Sequence, residues 1–150
     1  MSITTTTHLN FRGDARTALE FYQAVFGGDI IASSYADVGM PSDAPGANGL
    51  VFGVLASSSG FRVMAYDIPG QTGGSADHAG TTTRENGRTA TDRPFFVSVR
   101  GDTLDEIQRY WSALAVGATV IESLAASPWS PGFGMLTDRF GVTWILDVTA

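Results

Sequence analysis

LNFRGDARTALEFYQAVFGGDIIASS, from Leu9 to Ser34, is the stretch that decides the fold. It runs from an alternating apolar segment through Arg12-Gly13-Asp14 into a helical stripe, and Gly27-Gly28 leads out into a second apolar segment. Ala15, Ala18, Leu19, Tyr22, Val25 and Phe26 make up the stripe, spaced for one helix face. Asp14 stands where its carboxylate can cap that helix. VSVRGDTLDEIQRYWSALAVGATVIES, from Val97 to Ser123, repeats the plan. A displacement of 88 carries Arg12, Gly13, Asp14 and Tyr22 onto Arg100, Gly101, Asp102 and Tyr110, and Gly28 falls one residue further on, at Gly117. A repeated unit of this size predicts two modules of one kind.

Outward from these stretches, each module continues in the same way. Asp37–Gly49, with two prolines and three glycines, reads as an exposed and mobile loop. Leu50–Leu55 and Phe61–Tyr66 flank Ser57-Ser58-Ser59-Gly60 as an antiparallel hairpin. In the second copy Thr103 and Glu106 have capping-box spacing, and Leu104, Ile107, Trp111 and Leu114 form the buried stripe. Ala118–Leu124 follows as a strand, Pro128–Gly134 as a connection, and Phe133–Leu136 with Val142–Val148 as the last hairpin, turned through Thr137-Asp138-Arg139-Phe140-Gly141. The expectation is an α+β domain of two βαβββ modules, residues 8–67 and 94–148, joined by residues 68–93. That joining stretch is poor in apolar residues and is expected as a linker, with a functional flap, a dimer-exchange arm or a polar hairpin as the other readings. His78 lies within it and reads as ordinary surface.

At 150 residues, 43% hydrophobic and 16% charged, the chain is long and apolar enough for one sizeable core. Nine basic against fifteen acidic residues, with no basic run, argue against nucleic acid as partner. The absence of cysteine excludes disulfides, thiolate metal sites and cysteine nucleophiles. No segment of bilayer-spanning length and no leader pattern occurs, so a cytoplasmic protein away from membranes is expected. No glycine-rich strand–turn–helix signal for a methyltransferase cofactor is present, since Gly27-Gly28 closes a helix.

HLNFRGDARTALEFYQAVFGG near the start, and Pro128-Trp129 followed by GFGMLTDRFGVTWIL near the end, resemble the vicinal oxygen chelate superfamily, the glyoxalase and bleomycin-resistance fold. The closer resemblance is to its PhnB-like branch, often labelled 3-demethylubiquinone methyltransferase-like. The resemblance implies two βαβββ modules whose curved mixed sheets enclose a cup, commonly in a homodimer. It also implies metal ligands, in metal-dependent members, on the first and last strand of each module. On this chain those positions look like His8 and Phe96 on the first strands and, aligning Gly60 with Gly141, Met64 and Ile145 on the last. Only His8 is a ligand type, and a divalent catalytic site needs about three O or N donors. No cofactor is therefore expected. A zinc, manganese or iron ion held by His8 and Asp147 is the minor alternative.

The leading expectation is a non-catalytic binder of a small apolar or aromatic organic molecule. A metal-dependent isomerase, lyase or dioxygenase is one alternative, with Glu122, Asp67 and Asp147 as its acids, and a structural module with a filled cup is another. The residues expected to line the ligand are His8, Asn10, Tyr35, Phe52, Met64, Phe96, Trp129 and Phe133, with Tyr66 as further wall. His8, if any residue, is the one expected to carry catalysis. Arg12 and Arg100 can clamp an anion but more often pair with a nearby acid. Relatives often carry an arginine before the Phe-Gly pair, where Gly132 stands here.

Overall fold

A computed structural model describes residues 2–74 and 79–150, and His78 lies outside the described residues. The chain divides into two compact units, Met1–Ala76 and Asp77–Ala150. In the first unit β1 (Thr7–Phe11), α1 (Ala15–Phe26), β2 (Asp29–Ser34), β3 (Leu50–Ala56) and β4 (Arg62–Asp67) follow in the expected βαβββ order. They form a four-stranded mixed sheet in the order β1-β4-β3-β2, with β1 parallel to β4 and the rest antiparallel. Strand alternation sends Leu9, Phe11, Val63, Ala65 and Leu55 to one face, where they are buried with Ala15, Ala18, Leu19, Tyr22 and Phe26 of α1. Full burial of each large side chain here contributes about 1.5–3 kcal/mol. Gly53 lets Leu19 seat on the sheet, since a Cβ there would lie 2.7 Å from the leucine.

The helix entry differs from expectation. Asp14 makes no capping bond with its side chain. The carboxylate of Asp67, at the end of β4, does that work instead. Gly13 and Ala15 N–H donate to its Oδ1 at 2.8 and 3.0 Å, and Leu50 N–H donates to Oδ2 at 2.8 Å. One buried acid thus ties the helix start to two strands. The loop after β2 is also more ordered than its composition suggests. It opens with a 3-10 turn, Ala36–Val38, buries Ala47, and is held by Tyr35 N–H to Gly49 O and Ala36 N–H to Ala47 O. Backbone bonds within the loop supply the order that side-chain pattern does not show.

The second unit begins with β5 (Thr83–Glu85) and β6 (Arg88–Ala90), a small antiparallel hairpin inside the stretch expected as a linker or flap. Its loop is Asn86-Gly87, both at positive φ (51° and 75°), the pairing that two-residue hairpin turns favour. Then come β7 (Val97–Gly101), α2 (Leu104–Leu114), β8 (Thr119–Ser127), β9 (Ser130–Thr137) and β10 (Thr143–Val148), a second βαβββ set in the order β7-β10-β9-β8. Thr103 caps α2 by accepting Glu106 N–H. β8 and β9 are longer than expected, so Pro128 and Trp129 alone form the connection between them. Gly132 and Gly134 face the helix: a Cβ would meet Leu104 at 2.7 Å and the Trp111 ring at 2.7 Å. An arginine at 132 would point at α2, so this position could not clamp an anion on the other face. The β9–β10 turn is locked by Asp138, which accepts N–H bonds from Phe140 and Val142 and the indole N–H of the buried Trp144.

Candidate functional site

Each sheet has a second face, turned away from its helix. On the first, His8 and Asn10 of β1 stand beside Met64 and Tyr66 of β4, and Val54 and Phe52 of β3 continue the row. Ile31 and Ser33 of β2 extend it, and the exposed Asp29 of β2 and Arg62 of β4 stand at one end. His8 and Asn10 are exposed, Met64 and Tyr66 half-buried, while Phe52 and Ile31 keep 40% and 67% of their surface. That much apolar surface on a sheet face is available for contact. His8 Nδ1 lies 3.0 Å from Asn10 Oδ1, and its ring meets Tyr66 edge-on at 5.2 Å. Tyr35 donates its hydroxyl to Asp67 O at 2.7 Å. Partial burial, with Tyr66 and Asp67 adding to it, pushes the Tyr35 phenol above its ordinary range, so it stays a proton donor. Five of the expected lining residues thus fall in one unit: His8, Asn10, Phe52 and Met64 on the face, Tyr35 at its end.

On the second sheet, Phe133, Met135 and Thr137 of β9 share the face with Ile145 and Asp147 of β10 and Ser98 and Arg100 of β7. Trp129 packs edge-on against Phe133 at 5.3 Å. Phe96, just before β7, is half-buried. The register corrects one alignment: Ile145 lies opposite Ser98 as Tyr66 lies opposite Asn10, so Ile145 matches Tyr66 and not Met64. Unlike the first face, this one is covered. Thr89 Oγ1 sits 3.7 Å from Met135 Sδ, and Gly80 packs on Thr137. Arg84 lies over the Phe133 ring, its Cζ 4.9 Å from the centroid. Met135 and Thr137 are fully buried as a result. Arg84 and Thr89 went unrecognised in the sequence, although Asn86-Gly87 between short polar β-branched runs was a usable hairpin signal. A shallow depression of about 940 Å³ on the outer face of α2, lined by Asp105, Gln108, Arg109, Ser112 and Ala113, is open to solvent and has no aromatic wall.

The profile of the Glyoxalase/Bleomycin resistance protein/Dioxygenase superfamily matches residues 7–146. The chain belongs to that superfamily. Protein PA1353 from Pseudomonas aeruginosa, a crystal structure, is 28% identical and superimposes with a TM-score of 0.76 over 99% of this chain and 98% of that one. The PhnB protein from Bacillus cereus is 24% identical, with a TM-score of 0.70 over 98% and 100% of the two chains, a likeness of fold. Protein YjdN of Escherichia coli is 24% identical over 94% of this chain and 92% of its own length.

Metal-dependent chemistry in such a superfamily needs a donor set, and the described residues do not provide one. Among the described residues no three His, Asp or Glu side chains are grouped to hold an ion. The candidate acids have other partners. Asp67 caps α1, and Asp147 accepts from Arg100 Nε at 3.1 Å and Nη2 at 2.8 Å. That bidentate bond, and then the charge of Asp147, raises the Arg100 pKa further. Glu122 stands 3.9 Å from Arg84. Among the described residues no helix is long and apolar enough to cross a membrane.

Proposed function

We propose that the chain is a non-catalytic small-molecule-binding protein of the PhnB-like branch of this superfamily, taking an apolar or aromatic organic molecule on the open face of its first sheet. One observation carries the reading. Beyond Arg62 and Asp29 at one end, the face of the first sheet presents aromatic, thioether and neutral polar groups to solvent, while the carboxylate of Asp67 is buried under backbone N–H groups. Such a surface gains from burying a ring and offers His8, Asn10 and the Tyr66 hydroxyl for orientation. It offers no base with an attached orienting acid for turnover. In this reading the open face of the first sheet is one wall of the family's cup, in a cytoplasmic homodimer, with residues 8–67 and 94–148 as modules and 68–93 as linker or flap.

Equilibrium binding of neutral aromatic compounds in the presence of chelator tests this. Saturable binding that weakens about tenfold in Phe52→Ala and Tyr66→Ala is the expected result, since each removes a ring contact worth about 1–1.5 kcal/mol. A folded protein that retains no such compound would sink the proposal. The covered face of the second sheet favours a second reading for that unit, a cup filled by its own side chains. Binding confined to the first sheet in the same titration would single that reading out.

A further inference from the structure

The second sheet holds a cation on its aromatic face, and that cation belongs to the chain itself. Arg84 of β5 lies with Cζ 4.9 Å from the Phe133 centroid and 5.9 Å from that of Trp129, and its side chain is nine-tenths buried. Glu122 of β8 faces it at 3.9 Å, too long for a hydrogen bond and near enough to favour positive charge. Two rings and a carboxylate around one guanidinium are the makings of a cation seat. The occupant is imperfectly held. Nη1 donates to Thr89 at 2.8 Å, but Nε is buried with no hydrogen-bond partner among the described residues. A buried charged donor left unmade is costly. The element that carries Arg84 is also weak: β5 and β6 have three residues each, and every residue but Arg84 is exposed. Two-stranded hairpins of this kind are marginal on their own.

We infer that Trp129, Phe133 and Glu122 form a seat for a small organic cation bearing an apolar or aromatic body, and that Arg84 is a resident stand-in which the ligand displaces as the β5–β6 hairpin lifts. This rests on the ligand-binding reading above, extends it to the second sheet, and specifies the charge of the ligand there. The net charge of −6 favours the approach of such a ligand and disfavours an anion. The competing reading of the same arginine is an anion site, in which Nε awaits a carboxylate. The two differ in sign when Arg84 is removed.

Three probes with one ring system separate them: (1-naphthylmethyl)trimethylammonium, 1-naphthylmethanol and 1-naphthoate, titrated by calorimetry into wild type, Arg84→Gln, Glu122→Gln and Trp129→Phe. The ammonium is expected to bind tightest, to tighten about tenfold in Arg84→Gln, and to lose about tenfold in Glu122→Gln, while the alcohol ignores the glutamate change. Trp129→Phe keeps the apolar body and serves as a folded check, with a smaller loss confined to the ammonium. Tightest binding of naphthoate, abolished in Arg84→Gln, would overturn the inference in favour of an anion site. Binding of the alcohol with no preference for the ammonium in any variant would overturn the inference and leave the ligand-binding reading standing. Failure of all three probes on folded protein would defeat both.

Discussion

Asp67 gathers three backbone N–H groups from two separate segments, so it acts as a structural anchor more than as a reactive acid. Removing it strands those donors in a buried setting. Asp67→Ala is expected to cost about 3 kcal/mol, roughly 1 per orphaned donor, whereas Asp14→Ala is expected to stay within about 0.5 kcal/mol because its side chain caps nothing. Urea unfolding measures both, and a larger loss at Asp14 would contradict the assignment. The sequence placed Asp14 at the helix entry by local spacing. It could not show that an acid more than 50 residues away would arrive there, because that contact exists only once β1 and β4 pair. Asp37 gives a residue-scale pH signature. The Ser34 N–H, which donates to its Oδ2 at 2.8 Å, and then the Ser34 side chain lower its pKa below the ordinary carboxylate value. A lowered folded-state value adds stability above the unfolded pKa, and that stability is lost as pH falls through the folded value. The stability difference between wild type and Asp37→Ala is therefore expected to persist from neutral pH to about 4 and to shrink below it. A difference that stays constant down to pH 2.5 would show that Asp37 acts through something other than its charge.

At the scale of elements, the helix and the hairpin of each module were legible because periodicity is a local property. Leu19, Tyr22, Ile107 and Leu114 are fully buried, as their spacing required, whereas Leu104 and Trp111 stay partly exposed over Gly132 and Gly134. The open face of the first sheet was legible in part. His8 and Asn10 share an exposed face because strand parity puts them there. Arg84 was not legible, because its neighbours come from β8, β9 and the turn between them. The exit of α1 offers a sharp test. Gly28 has φ +103°, and a Cβ there would lie 2.5 Å from Ala56 O. Gly46, at φ +83°, has open space around it. Gly28→Ala is expected to cost about 3 kcal/mol or more, and Gly46→Ala about 1 kcal/mol from backbone conformation alone. Equal shifts in thermal unfolding would mean that the close approach of β3 to this glycine does not constrain the fold.

At the scale of the whole molecule, two modules of one plan have taken different surfaces. The first sheet presents an open face of His8, Asn10, Tyr66 and Phe52, and the second carries a hairpin over Phe133 and Met135. The repeat around Arg-Gly-Asp foretold the shared plan but not this divergence, which arises in the connecting segment. Among the described residues neither face groups carboxylates and imidazoles in the way a catalytic ion requires, and the proposed binding of organic molecules needs no such ion. Equilibrium dialysis of the 150-residue protein against Zn²⁺, Mn²⁺ and Fe²⁺, read by mass spectrometry for wild type and His8→Ala, tests that claim most directly. No saturable uptake and no difference between the two proteins are expected. One ion held per chain and lost in His8→Ala would contradict that claim.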